Sequence, residues 1–177
     1  MIAILIAFYA SVLLFAVMGS VRGWAKELLV IFSVILALAV ISIIENLLPV
    51  VSDILAANPT LDFWVRVGIL LVMAFFGYQS PRISLLARAA ERRDQIQDTL
   101  LGLILGAISG YMIVGSLWWF IDQMGYFPPY IYPPDSSPLG LTAQRLVQWL
   151  PPAYLLGGPM IYVAVVLAFI FVIVVFI

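Results

Sequence analysis

The sequence predicts an all-α membrane protein: a polytopic helical bundle of four to five transmembrane helices with a basic amphipathic helix along the cytoplasmic interface. Three observations predict it. Of 177 residues, 65% are hydrophobic and 10% charged, with a mean hydropathy of +1.18, whereas a soluble domain carries about a quarter charged residues. Several runs are apolar over the roughly 20 residues that a helix needs to cross a hydrocarbon core about 30 Å thick. Basic residues gather in alternate connections, as the positive-inside rule requires of a multi-span chain.

The first span, about 1–21, has no charge. A signal peptide carries its basic residues ahead of the apolar stretch. Here Arg22 and Lys26 come after it, which favours a retained helix with its N-terminus outside. The second span, about 25–48, is uncharged from Leu28 until Glu45 and stops at Pro49. The third, about 61–79, carries Arg66 near its start and is closed by Pro81; the fourth, about 99–121, is uncharged and ends in Trp118, Trp119 and Phe120. Residues 160–177 are apolar throughout and make a fifth span. The connection after the second span holds Asp53 and no basic residue, and 122–159 holds only Arg145. Loops 22–27 and 80–98 are therefore expected to be cytoplasmic, and 122–159 extracytoplasmic.

Between the third and fourth spans, Ser80-Pro81 reads as a helix start. Over 81–97, Ile83, Leu86, Ala87 and Ala90 recur on one face, while Arg82, Arg88, Arg92 and Arg93 supply the polar side. Such a helix lies in the headgroup region and is drawn to anionic lipid. Glu91, Asp94 and Asp98 interrupt its positive charge, so a nucleic-acid patch is not expected. In the loop 123–159, Phe127, Tyr130 and Tyr132 alternate with proline pairs. Part of it should be extended and polyproline-like, an ordered partner-docking lid. Within it, 141–150 reads as a short amphipathic helix on the outer surface, with Thr142 as a candidate N-cap and Pro151 as its stop.

Charge is scarce at membrane depth. Arg66 stands one turn beyond Asp62, the favourable acid-first order, and can also reach Glu45 across the bundle. Glycine is more informative. Asp98-x-x-x-Gly102-x-x-x-Gly106-x-x-x-Gly110, followed by Gly115, lays small residues along one face of the fourth span, where another helix can approach closely. At the first connection, Gly23 permits a tight turn. Arg22 and Lys26 should face the headgroups, and Glu27 suits the start of a helix dipole.

The chain has no cysteine and no histidine. Thiol chemistry and the commonest metal ligand and general base are thereby excluded. A membrane serine protease needs a Ser-His or Ser-Lys pair, and the single lysine is Lys26, at the turn. No enzyme, metal site or cofactor is expected. Lipid, carotenoid or quinone contacts are compatible with such a chain, but no residue pattern indicates them.

The turn Arg22-Gly23-Trp24-Ala25-Lys26-Glu27-Leu28, the basic helix and the glycine span, in this order, resemble the CvpA-like (colicin V production) family of integral membrane proteins. The resemblance covers roughly 1–122 as a four-helix core, and 123–177 depart from it. It implies a bacterial inner-membrane protein linked to envelope homeostasis or peptide export, and it supplies no catalytic residue. Expected partners are membrane lipids and other membrane subunits or further copies of the chain. An accessory structural subunit of a large photosynthetic or respiratory complex is the first alternative, and a small channel or transporter component the second.

Overall fold

The computed structural model describes residues 2–79, 95–126, 131 and 133–176. Among the described residues eight helices follow in order: α1 (Ile2–Arg22), α2 (Trp24–Leu47), α3 (Pro49–Ala56), α4 (Pro59–Tyr78), α5 (Gln95–Met124), α6 (Pro138–Val147), α7 (Pro151–Leu155) and α8 (Met160–Phe176). Helices α1, α2, α4 and α5 are each long and apolar enough to cross a membrane. The chain is thus an all-α, polytopic integral membrane protein. The spans match those expected from sequence to within a few residues at each end.

Local chemistry sets the boundaries. Gly23 joins α1 to α2 alone, at φ 87°, a left-handed value that glycine adopts without penalty. Pro49 ends α2 because it has no N–H to donate, and it opens α3 at the first helical position, where none is needed. The Asn58 side chain caps α4 by accepting from the Leu61 N–H at 3.3 Å.

Packing in lipid depends on close fit, since there is no hydrophobic drive between helices. The fit is tightest between α1 and α5. Gly19 faces Gly102 and Gly106, Phe15 faces Gly106 and Gly110, and Phe8 faces Gly115. The two helices therefore run antiparallel in one fixed register. Helix α2 packs between α4 and α5 around a fully buried cluster that includes Val34, Leu38, Ile41, Leu70 and Phe120. Gly77 brings α4 against α2, where a Cβ would come within 3.1 Å of Val30 Cα.

The register places the last third of the chain in depth. Leu150 and Pro151 lie against Gly115, and the Tyr111 hydroxyl donates to the Trp149 carbonyl. Gly115 and Tyr111 precede Phe120, near the far end of α5, by about 7 and 13 Å of helix rise. The tip of the α6–α7 hairpin thus dips well inside the bundle's length, as a re-entrant segment. The sequence expectation of a helix resting on the outer surface is corrected in this respect. The helix starts at Ser137, whose side chain caps Gly140 N–H at 3.1 Å; Thr142 instead donates back to the Pro138 carbonyl. The cause of the descent is apolar: Ala143, Val147 and Leu150 bury against Leu5, Phe8 and Trp118.

Helix α8 has 17 residues, about 25 Å of rise. It begins beside the re-entrant tip, with Ile161 fully buried near Leu155. It then runs along α2, where Phe32 and Phe169 meet edge to face at 4.9 Å. A helix that starts below the far end needs fewer residues to reach the near one.

Candidate functional site

The two motifs singled out in the sequence meet at one end of the bundle. The Glu27 carboxylate, 1% exposed, is the most buried charge among the described residues. Arg22 Nη1 donates to its Oε1 at 2.7 Å and Ser109 Oγ to its Oε2 at 2.6 Å. Arg22 also lies over the Tyr78 ring, 4.2 Å from the centroid, and donates weakly to the Tyr78 carbonyl at 3.4 Å. Asp98 accepts the Trp24 N–H at 3.2 Å, so a carboxylate from α5 neutralises the positive end of the α2 dipole. A charge buried this far is costly unless paired and hydrogen-bonded; here both Glu27 oxygens are engaged.

This clasp ties together α1, α2, α4 and α5. It changes the part expected of Arg22, which turns onto Glu27 and Tyr78 rather than out to headgroups, because the buried carboxylate offers it a stronger partner than solvent. Lys26 remains exposed. Gly23 brings the backbone against Asp98, so close that a Cβ on Gly23 would lie 3.0 Å from the carboxylate. Next to the clasp the glycine face of α5 seats α1: a Cβ on Gly106 would lie 2.9 Å from Gly19 Cα. Gly102, Gly106 and Gly110 therefore have an internal partner, and Gly115 receives the re-entrant tip.

A second clasp closes the opposite end. Arg66 binds Asp62 through Nε at 2.9 Å and Nη2 at 2.8 Å, and reaches Glu45 at 3.3 Å. Its guanidinium stands 5.7 Å from the Trp119 ring and 5.9 Å from the Phe120 ring. The three residues named together from the sequence are thus together in space, with α5 supplying the aromatic faces. Arg82, Arg88, Arg92 and Arg93, and the loop residues Phe127, Tyr130 and Tyr132, lie outside the described residues.

Sequence reasoning missed Ser109, Tyr78 and the capping role of Asp98. Ser109 sits three residues after Gly106, within the stripe already recognised as a contact face, and that placement was the available signal. Tyr78 had none, since its contact depends on how α4 approaches α1. No protein-family model matches the chain, and neither a curated protein nor a solved structure matches it.

Proposed function

We propose that this is a non-enzymatic membrane protein of CvpA-like type, acting by helix packing and by contacts with lipids and other proteins, in envelope homeostasis or peptide export. The observation that supports it most is the clasp: the Arg22–Glu27 turn and the Asp98–Gly110 span, the residues that carry the resemblance, form one interlocking unit. Residues used this way hold helices together, and both carboxylate oxygens of Glu27 are already committed to that task. In this reading the membrane is a bacterial inner membrane and the Arg22 end is cytoplasmic, with Lys26 exposed there.

A second reading, an accessory subunit of a larger membrane assembly, draws on the groove between α2 and α8. It has a volume of about 570 Å³ and is lined by residues such as Leu28, Phe32, Ile35, Leu167 and Phe171.

Extraction in mild detergent followed by native electrophoresis and identification of co-migrating proteins separates the two. A small monomer or homo-oligomer is expected. Stoichiometric migration within one large assembly overturns the first reading in favour of the second. Orientation is tested by single cysteines at Ser20 and Ser52, since the chain has none of its own. Labelling of intact cells by an impermeant thiol reagent is expected at Ser52 and not at Ser20; the reverse pattern overturns the orientation.

A further inference from the structure

The re-entrant hairpin leaves a cleft of about 550 Å³ against α5, lined by Tyr111, Gln148, Trp149 and Tyr154, a size usual for small-ligand sites. Trp149 is 71% and Tyr154 45% exposed, so the cleft is open at its side. At the depth set by Tyr111 and Gly115 that opening faces the hydrocarbon.

Two observations point to a ligand. Gln148 is exposed just beyond the end of α6, next to Trp149, whose carbonyl meets Tyr111. An amide left facing lipid tails without a partner costs several kcal/mol. A polar molecule in the cleft would relieve that cost. The lining is also chemically selective: three aromatic rings, an amide that can donate, a Tyr154 hydroxyl that pairs with the Tyr111 hydroxyl and can turn from it to a ligand, and no charged side chain. That set suits a flat, neutral ring carrying hydrogen-bond acceptors, and its position requires a molecule that arrives through the membrane. A sugar or a charged headgroup would have to leave the interface to reach it.

We propose that this cleft binds the head ring of a lipid-soluble quinone, with the ring stacked on Trp149 and its carbonyl oxygens accepting from the Gln148 amide and the Tyr154 hydroxyl. Tyr111 is the positioning residue, holding the Trp149 backbone at that depth. Binding alone is claimed, with no electron transfer.

The test uses the full chain in phosphatidylcholine nanodiscs and a decyl-tailed benzoquinone, read by quenching of tryptophan fluorescence. A saturable component is expected above the linear quenching due to partition, and Trp149→Phe should remove most of it, although the other four tryptophans remain. Gln148→Leu and Tyr154→Phe should each weaken binding roughly tenfold, the loss of about one hydrogen bond. Should Gln148→Leu fail to fold, Tyr154→Phe removes only one oxygen from a half-exposed side chain and keeps the test decisive. Quenching that stays linear, affinity unchanged in both variants, or loss of the saturable component when decanol is added at the same concentration as the quinone would each overturn the proposal.

Discussion

At Gly106 the absence of a side chain has a measurable consequence, because Gly19 Cα occupies the space where a Cβ would go. Gly106→Val should destabilise the folded protein in detergent by about 1–3 kcal/mol, the usual cost of forcing atoms into a packed contact. Gly68 on α4 has nothing within 4 Å of its Cβ position. Gly68→Ala should therefore be neutral, or stabilising by up to about 1 kcal/mol through helix propensity. Equal thermal shifts in the two variants would show that α1 and α5 are not in contact as described. Glu27 permits a similar comparison. Glu27→Ala strands Arg22 and should cost about 3 kcal/mol, the low end for breaking a buried pair, because the Arg22 side chain keeps 21% exposure. Pairing Glu27→Met with Arg22→Met should recover most of that loss, and a strictly additive double-mutant cycle would refute the coupling. The glycine stripe was legible in the sequence because its spacing of four is a property of one helix. Burial of Glu27 was not, since it depends on Ser109 arriving from 82 residues away.

The helices themselves are the most legible level. Charge-poor apolar runs bounded by Pro49, Asn58 and Gly23 leave few other conformations open to a chain in lipid. The connections were harder to foresee. Helix α3 lies in a stretch that reads as a loop, and the α6–α7 hairpin descends because Ala143, Val147 and Leu150 find partners on α1 and α5. Such partners are visible only once the register of those helices is known. Asp98→Ala removes the cap on α2 and should cost about 0.5–2 kcal/mol, read as a lower midpoint in thermal unfolding, whereas Asp53→Ala, on exposed α3, should not. Just past α5, burial holds the Tyr126 phenol at about 12 instead of 10, and it donates to Asp122 at 2.9 Å. The folded state thus keeps this proton more tightly than the unfolded chain does. Its contribution should be constant below pH 10 and fall as pH rises toward 12. In wild type minus Tyr126→Phe difference titrations, one phenolate should appear about two pH units late; titration near 10 would contradict the burial.

For the whole molecule, the sequence reading of a charge-poor bundle with polar groups near its ends agrees with the structure, while the arrangement of those groups into two clasps depends on how the helices pack. Glu27 and Glu45 are both on α2, eighteen residues apart, or about 27 Å of helix rise. Between them the buried residues of α2 are apolar except for Ser33 and Ser42, and none is charged. Because each clasp also holds α4 and α5, the bundle cannot slide its helices past one another to shorten or lengthen that apolar belt. A protein built this way acts as a rigid gauge of its surroundings. In bilayers of graded acyl-chain length, its melting temperature should peak where the hydrocarbon slab is about 27–30 Å and decline on either side, since each ångström of mismatch costs a fraction of a kcal/mol. A flat profile would mean the belt adapts by tilting. With such a peak, the protein would collect in membrane regions of matching depth and thin or thicken those that differ, so its neighbours would be chosen partly by the lipid around it.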